Sequence, residues 1–351
     1  MTRFFDGHND ILLRLWSNED WLGEAFINSD GSGHIDLERM KNARMIGGFF
    51  AIFVPTDKTN MLASGPLDQK RALANCLEMI DIYDALGQVI SPCLTAGDVT
   101  RHPHKISGIL HIEGAEMISE TLEEIDLLFQ RGVRSIGPLW SRSNIFGHGA
   151  PFDFPGSPDQ GSGLTDYGKA FVKACDERQI LIDVSHLNEA GFWDVAAVSD
   201  RPLMATHSNA HKLCPAPRNL TDKQLDAIAE RSGIVGLCFA SAYLRPDGRK
   251  EADTSIELLL RQLDHLISRL GEGGVALGSD FDGAVIPAAI NDCAGLPVLS
   301  TAMIDNGFGK DLTQQICANN WTRFLQANLP HSAAAPVIIP PRHPIGAVEH
   351  I

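Results

Sequence analysis

A histidine and an aspartate stand two positions apart near the start of the chain, as His8 and Asp10 in the sequence DGHND. In an extended segment, side chains at positions i and i+2 lie on the same face, so these two can bind one metal ion together. A surface turn would explain the pair equally well. The pair therefore indicates a metal site only in combination with other ligand candidates along the chain.

Four more side chains of the metal-ligating type follow apolar runs that are predicted to be buried strands. Glu113 is one of them, and a carboxylate directly after a buried run is costly unless it is paired or bound to a metal. Taken alone, Glu113 is explained more simply by a salt bridge at a barrel mouth. The other three are His186, His207 and Asp280. His111 is interpreted as a core or supporting residue, because a lone histidine in an apolar strand is usually satisfied by hydrogen bonds.

Together the six candidates supply three imidazoles and three carboxylates, and independent accidents explain such a set poorly. Two metal ions account for it most economically. Neutral imidazoles with carboxylates suit Zn²⁺, and Mn²⁺ or Co²⁺ would also bind.

The elements that must position these residues are predicted from short apolar runs, most of them followed by helical periodicity. Eight such runs are predicted to be strands, at residues 3–5, 45–54, 108–112, 133–139, 180–184, 202–205, 233–238 and 275–278. Several are continuously apolar, which is typical of parallel strands buried on both faces. Eight strands alternating with helices predict an α/β fold, a (β/α)8 TIM barrel, whose active sites lie at the C-terminal ends of its strands. An open doubly wound sheet would require a glycine-rich phosphate turn after the first strand, and residues 6–10 offer none.

Helix starts are predicted from a capping-box pattern, in which threonine is followed three positions later by glutamate or glutamine. The pattern occurs at residues 121–124, 221–224 and 254–257. After the last of these, apolar residues recur at helical spacing from residue 256 to residue 270. This stripe predicts a helix that packs against the sheet.

Two segments lack periodicity. Residues 147–163 are rich in glycine and proline and are predicted to form a long loop after a strand, where barrels of this kind build their pockets. The chain after Pro330 is rich in proline and is predicted to be an arm onto a neighbouring subunit or a loose tail. We therefore expect one barrel domain over residues 1–330 and a tail or arm over residues 331–351, with a homodimer as the candidate assembly.

Composition excludes several classes of protein. The 351 residues are 44% hydrophobic and 21% charged, which is ordinary for a globular protein with a large core and unlike a disordered, collagen-like or coiled-coil chain. Acidic residues outnumber basic ones by 44 to 29, and the formal net charge of −15 repels phosphate backbones, so nucleic-acid binding is not expected. No apolar run approaches the ~20 residues that span a bilayer, so no membrane partner is expected either.

The cysteines and the two ends of the sequence indicate the cytoplasm. Seven cysteines are scattered, odd in number and never in a Cys-x-x-Cys pair, and they are predicted to be reduced and mostly buried. The sequence MTRFFDGHND turns polar at once, so no secretory signal is expected. The last residues are charged and polar rather than the apolar tail of a lipid-anchor signal.

Six motifs occur in order along the chain: DGHND at 6–10, HIEG at 111–114, DVSH at 183–186, THS at 206–208, PRN at 217–219 and GSDFDG at 278–283. In these motifs the sequence resembles the membrane (renal) dipeptidase family of dizinc metallopeptidases, which are barrel enzymes related to amidohydrolases. The resemblance extends from residue 4 to about residue 325 and looks like that of a soluble bacterial-type member. It implies an amidohydrolase-like barrel that acts as a metal-dependent dipeptidase.

Carried over position by position, the resemblance implies a centre of two Zn²⁺ ions. His8 and Asp10 would hold one ion, His186 and His207 would hold the other, and Glu113 would bridge the two. The implied reaction is hydrolysis of the peptide bond of small dipeptides, L-Xaa-L-Xaa or L-Xaa-D-Xaa, with a metal-bridging hydroxide as the nucleophile.

The resemblance also implies roles for residues that hold no metal. Asp280 would take the proton of the attacking water and pass it to the leaving amine. Arg218 would bind the terminal carboxylate of the substrate, which suits its planar guanidinium, with Asn219 beside it.

The sequence departs from the family pattern just after the fourth predicted strand. Relatives carry there a histidine that contacts the reacting carbonyl oxygen, whereas this sequence has PLWSRSN at residues 138–144. Trp140, Arg142 or His148 could take that role as a substrate contact, and Phe53 stands where relatives often carry tyrosine. The alternatives to a dipeptidase are therefore another metal-dependent amide, lactone or ester hydrolase on the same barrel, or a catalytically silent metal-binding protein.

Overall fold

The computed structural model describes residues 2–56, 67–102 and 104–332. In these ranges the chain forms nine strands, β1 (Phe4–Asn9), β2 (Met45–Phe53), β3 (Ile90–Pro92), β4 (Ile106–Glu113), β5 (Val133–Gly137), β6 (Leu181–Ile182), β7 (Met204–Ser208), β8 (Ile234–Cys238) and β9 (Val275–Gly278).

All pairings between these strands are parallel, and the order across the sheet is β6-β5-β4-β2-β1-β9-β8-β7. The ring is closed beyond β6, where the backbone of Asp183 pairs with Met204 of β7 and the N–H of Val184 donates to the Met204 carbonyl at 2.9 Å. The short β3 lies off this ring, paired with the first residues of β4. The predicted (β/α)8 barrel is confirmed, and its eight strands match the eight predicted runs.

The described residues also form thirteen α-helices, most of which lie between successive strands: α1 (Ile11–Ser17), α2 (Glu24–Ile27), α3 (Leu37–Ala43), α4 (Gln69–Ala85), α5 (Glu124–Gln130), α6 (Asp166–Glu177), α7 (Glu189–Val198), α8 (Asp222–Glu230), α9 (Ser241–Leu244), α10 (Ile256–Leu270), α11 (Leu296–Asp305), α12 (Gly309–Gln314) and α13 (Asn320–Asn328). A π-helical turn, Gln315–Asn319, joins α12 to α13.

Only one of the three predicted capping boxes is correct. The box at residues 221–224 caps α8 as predicted. At α10 the capping residue is Ser255, one position later than predicted, and its hydroxyl accepts from the N–H of Glu257. At α5 the prediction is wrong, because Leu122 has a φ of 62° and the helix begins only at Glu124. The carboxylate of Glu124 instead accepts hydrogen bonds from the N–H and hydroxyl of Ser119.

Apolar side chains fill the inside of the barrel at its N-terminal end. Trp321 of α13 packs there against Phe49 of β2, with ring centroids 4.9 Å apart, and its indole N–H donates to the carbonyl of Leu277 at 2.7 Å. Phe5 belongs to the same buried cluster. Since hydrocarbon fills the inside of the barrel at this end, the opposite, C-terminal end is the one where an active site of this kind of barrel is expected.

None of the helices in the described ranges is long and apolar enough to cross a bilayer. Of the predicted tail, residues 333–351 lie outside the described residues. The proposed boundary at residue 330 therefore stays a prediction.

Candidate metal centre

The six ligand candidates converge at the C-terminal ends of the barrel strands. His8 lies inside β1, which is longer than predicted, and Asp10 follows that strand directly. Glu113 is the last residue of β4, and His207 lies in β7. The other two candidates lie in the turns after β6 and β9. A closed parallel barrel brings these ends to one rim, although the residues are far apart in the sequence.

The carboxylate of Glu113 lies at the middle of the group. Its Oε1 atom is 2.7 Å from Nε2 of His186, 3.5 Å from Nε2 of His207 and 3.7 Å from Nε2 of His8. The His8 Nε2 atom is also 3.5 Å from Oδ2 of Asp10. Two groups of three buried ligands, His8–Asp10–Glu113 and Glu113–His186–His207, thus share Glu113, and the ligand atoms within each group lie within 4.8 Å of one another.

Asp280 faces the same space from the turn after β9. Its carboxylate forms a third group of ligand atoms with His8 and His207. The backbone of Asp280 has a φ of 61°, and its N–H donates to the carbonyl of His8 at 3.1 Å. A Cβ atom at Gly283 would collide with carboxylate oxygens of both Asp10 and Asp280. Glycine at the end of the GSDFDG motif is therefore required for these carboxylates to approach each other.

Three buried polar atoms in this group lack a hydrogen-bond partner within the described residues. They are both ring nitrogens of His8 and Oδ1 of Asp10. Buried polar atoms are normally hydrogen-bonded, and each orphan needs an explanation such as an ion. A divalent cation bound by one ring nitrogen of His8 and by the Asp10 carboxylate would satisfy one nitrogen and the carboxylate oxygen, so the residues fit a metal centre.

The carboxylates of the six ligand candidates also need a positive charge nearby if all of them are to be ionised. Burial lowers the pKa of His8, but the carboxylates of Glu113 and Asp10 outweigh burial and raise that pKa to about 10. Burial raises the pKa of Glu113 to about 8, and burial together with the Asp10 carboxylate raises that of Asp280 to about 6. The protein alone thus binds protons where several acids crowd together, and a cation would replace those protons.

The other two histidines are suited to donate lone pairs. Burial lowers the pKa of both His186 and His207 well below the ordinary value, which keeps the rings neutral. The hydroxyl of Thr206 donates to Oδ2 of Asp183 at 2.6 Å and lies 2.9 Å from Nδ1 of His207. Since the hydroxyl hydrogen is used on Asp183, the same oxygen accepts from Nδ1–H of His207, and the lone pair of His207 is on Nε2, which faces Glu113.

His111 is buried beside His8, and its predicted supporting role stays a prediction. Its Nδ1 atom lies 2.9 Å from the hydroxyl of Ser135, and its Nε2 atom is 3.4 Å from Oδ2 of Asp183. The ring packs edge-on against His8, with centroids 5.5 Å apart. Burial lowers the pKa of His111 to about 4, so the ring is neutral and packs without adding charge.

A cavity of about 580 Å³ opens above the ligands, a volume typical of small-molecule sites. One side of it is formed by Asp10, Glu113, His186, His207 and Asp280. The other side is an aromatic wall of three rings, Phe53, Trp140 and Phe152. The Trp140 centroid is 4.8 Å from that of Phe53 and 5.2 Å from that of Phe152.

Of the predicted substrate contacts, the structure brings Trp140 to the cavity but not the others. Arg142 is buried behind the aromatic wall, where it donates to Oε1 of Glu116 at 2.9 Å.

His148 is exposed, and its ring lies 3.0 Å from the hydroxyl of Ser143. Asn219 donates to the carbonyls of Cys214 and Tyr243, at 2.9 and 3.0 Å, and so supports a loop.

Arg218 is buried directly beside the histidines. Its Nε–H donates to Nδ1 of His186 at 3.1 Å, and its two terminal nitrogens donate to the hydroxyl of Ser208 and the carbonyl of His207, both at 2.8 Å. It is not among the residues that line the cavity. A guanidinium has five N–H donors, so two remain beyond these three bonds.

Sequence reasoning missed several residues of the cavity. Tyr243 lines it from α9, directly after β8, and its position past a strand end was the available signal. Phe152 comes from the loop 147–163, for which a pocket role was predicted without naming a residue. Asp282 also lines the cavity and forms an ion pair with Arg14 at 2.8 Å, a contact between residues too distant in sequence to predict.

Comparison with known proteins finds similarity over nearly the whole chain. Residues 1–335 match the family model described as membrane dipeptidase, peptidase family M19. The crystal structure of a metallopeptidase from Rhodobacter sphaeroides, liganded with a phosphinate mimic of the dipeptide L-Ala-D-Ala, matches with a TM-score of 0.88 and 46% identity, covering 93% of this chain and 99% of that one.

Two further similarities agree with that result. A protein of Acinetobacter calcoaceticus, described as an uncharacterized protein in the PQQ-III 3′ region, is 44% identical over 281 residues, which is 76% of this chain and 89% of that protein. The probable dipeptidase PvdM from Pseudomonas aeruginosa matches with a TM-score of 0.80 at 19% identity, covering 93% of this chain and 95% of that one. At such low identity the last match demonstrates a shared fold alone.

Proposed function

Because this chain belongs to the membrane dipeptidase family, peptidase family M19, we propose that it is a metal-dependent dipeptidase whose active site is the cavity above Glu113. One observation carries the proposal. Two groups of three ligands share a single carboxylate at the floor of a cavity of about 580 Å³. A carboxylate shared by two ligand groups can hold two cations close enough together to act on one substrate.

The proposed centre contains two Zn²⁺ ions, with Mn²⁺ or Co²⁺ as substitutes. His8 and Asp10 would hold one ion, His186 and His207 the other, and Glu113 would bridge both. Three imidazoles with carboxylates favour these metals over Mg²⁺ or Ca²⁺, which prefer sites made of oxygen ligands alone. Bound at these positions, the two cations would activate a water molecule and polarise the carbonyl group of the substrate.

The protein's own groups would carry the proton. Asp280 lines the cavity and takes part in the ligand group of His8 and His207, so its carboxylate would lie beside a substrate bound there. We assign to it the acceptance of the proton that the attacking water loses and its delivery to the leaving amine. Its left-handed backbone, fixed by the hydrogen bond to His8, holds the carboxylate at the ligands.

The proposed substrates are small dipeptides with a free C-terminal carboxylate and an L- or D-residue at the second position. The Rhodobacter relative, whose ligand mimics L-Ala-D-Ala, supports this choice. The aromatic wall would contact a substrate side chain. Trp140 is the candidate for the position at which relatives carry a histidine, since Arg142 and His148 do not line the cavity.

Arg218 is the candidate ligand of the substrate carboxylate. If Nε2 of His186 binds a cation, the ring hydrogen moves to Nδ1, where the hydroxyl of Ser141, at 3.1 Å, can accept it. His186 then no longer accepts from Nε–H of Arg218, which adds a third free donor to the two that remain. A bidentate bond to a carboxylate needs two of them.

We further propose that the protein acts in the cytoplasm, without nucleic-acid or membrane partners, and as a homodimer. The cytoplasmic proposal rests on the seven cysteines, all of which are unpaired.

The test is metal content by elemental analysis together with hydrolysis of L,L and L,D dipeptides, on wild type and Asp280→Asn. We expect about two zinc ions per chain and turnover in wild type. Asp280→Asn is expected to keep its metal and to lose turnover by about 10²-fold or more, since a positioned proton carrier contributes about that much.

The same panel separates the alternatives. Faster turnover of acyl amino acids or lactones than of dipeptides would indicate another hydrolase of this fold. Full metal content without any turnover would indicate a binding protein. No bound metal after reconstitution would contradict the assignment of His8, Asp10, Glu113, His186 and His207.

A further inference from the structure

A second cavity, of about 620 Å³, lies at the opposite end of the barrel and is named here the basal cavity. It is bounded by the N-terminal ends of β2 and β4, which begin at Met45 and Ile106, and by Arg3, just before β1. From Ile106 to Glu113, the length of β4 places it about 23 Å from the metal centre. Its apolar surface comes mainly from the half-buried Ile46 and Val89, with the buried Leu37, Met45, Val99 and Ile106 behind them.

Four permanently charged cations surround this apolar surface: Arg3, Lys41, Arg44 and Lys105. The described residues that line the basal cavity include no aspartate or glutamate. In the described part of the chain, these four side chains form no ion pair with a carboxylate; Lys105 donates to the carbonyl of Gly87 at 2.8 Å. Two exposed histidines, His102 and His104, also lie along the lining.

This cluster contrasts with other parts of the molecule, where several arginines are paired with acids. Arg131 lies 2.6 Å from Asp81, and Arg178 lies 2.5 Å from Asp126. A chain with 44 acidic residues and a net charge of −15 has carboxylates in excess, yet none of those described reaches the basal cavity. Four like charges around one concavity repel one another, and an anion bound among them would remove that repulsion.

We propose that the basal cavity binds a small organic anion that combines an apolar part with at least two negative charges, such as a phosphate monoester or a dicarboxylate. The apolar part would cover the half-buried side chains of Ile46 and Val89, and the charges would face the four cations. A volume of about 620 Å³ suits a small molecule of this kind. The ligand needs two negative charges, because a single carboxylate would leave most of the positive charge of the four cations without a counterion.

The test is isothermal titration calorimetry of the metal-loaded, full-length protein with three probes of similar apolar size. Phenyl phosphate carries a phosphate, phthalate carries two carboxylates, and phenol is neutral. The test variant is Lys41→Gln with Arg44→Asn, since Arg44 has a φ of 62° and asparagine tolerates that conformation. The matched control is Lys173→Gln with Lys310→Gln, which removes two exposed charges outside both cavities.

We expect at least one dianion to bind wild type and the control with the same affinity and to bind the test variant about tenfold more weakly. Added salt should lower the affinity further. Dipeptide turnover should be the same in all three proteins, because none of the substituted residues touches the metal centre. Binding of phenyl phosphate alone would identify a phosphate ester as the natural class, and binding of phthalate alone would identify a dicarboxylate.

Three results would overturn the proposal. The first is that neither dianion binds wild type at millimolar concentration. The second is that the test variant binds the dianions as tightly as wild type does, which would place the anion at the metal centre or elsewhere. The third is that phenol binds as tightly as the dianions.

Discussion

The hydroxyl of Thr206 connects a candidate metal ligand to a buried carboxylate, donating to Asp183 and accepting from Nδ1–H of His207. We expect Thr206→Val, which keeps the side-chain shape, to weaken metal binding by about 10–100-fold, because it removes the contact that orients the ring and fixes its tautomer. The measurement is a competition titration of the metal against a chelator, with thermal unfolding on the same sample.

Thr206→Ser is the matched control for this prediction. It retains the hydroxyl and should keep metal affinity near that of wild type. Unchanged affinity in Thr206→Val would mean that the position of His207 is set by packing against His8, whose ring centroid is 3.8 Å away, rather than by the hydrogen bond.

At this scale the sequence predicts the residue types at the site better than their contacts. The six ligand candidates lie within five of the six short motifs, and the structure brings all six to one rim. The roles of Arg218 and Asn219 as substrate contacts stay predictions, since both side chains are held by protein groups. Such hydrogen bonds join residues distant in sequence, and no local pattern marks them.

The ends of three elements are tied together by the guanidinium of Arg142. It donates to Glu116 after β4 at 2.9 Å and to the carbonyl of Val54 after β2 at 3.0 Å, while Arg142 itself follows β5. It also lies 5.7 Å from the ring centroids of both Phe53 and Trp140. The contacts behind the aromatic wall are therefore electrostatic as well as apolar.

We expect Arg142→Met to destabilise the protein by about 3–5 kcal/mol, because Glu116 is left as an unpaired buried charge. The double variant Arg142→Met with Glu116→Gln removes that charge and should recover most of the loss. In both variants KM for dipeptides should rise more than kcat falls, since the support of the aromatic wall is gone while the metal ligands are untouched. Urea unfolding and steady-state kinetics measure the two effects.

A single variant as stable as wild type would contradict this reading of the ion pair. If the double variant has wild-type KM, Arg142 stabilises the fold without shaping the cavity.

A strand or helix is easier to predict from the sequence when a longer run of apolar residues marks it. All eight barrel strands were predicted, because long buried runs such as β2 and β4 have no other good explanation. The predicted end of β1 lies four residues too early, since residues 6–9 resemble a turn and only the closed barrel extends them. The three-residue β3 is too short to show any period.

At the scale of the whole molecule, the net charge can conceal a local charge of the opposite sign. The charge of −15 predicts repulsion of phosphate backbones, and it describes the average surface. The basal cavity has the opposite local charge, formed by residues from positions 3 to 105 that meet only in the fold. Charge counts along the sequence do not reveal such a place, because its members lie in or next to different helices and strands.

The distribution of thiols through the whole molecule gives the last prediction. All seven cysteines are buried and unpaired in the structure, and their reduced state stays a prediction. Burial raises the pKa of every one of them, that of Cys76 to about 12. Reaction with a disulfide reagent needs an accessible thiolate, and the fold denies both access and ionisation. We therefore expect Ellman's reagent to label none of them rapidly in the native protein and all seven after unfolding in guanidinium without reductant. Five or fewer labelled thiols in unfolded protein would indicate a disulfide, and rapid labelling of the native protein would indicate that part of the barrel opens on the timescale of the reaction.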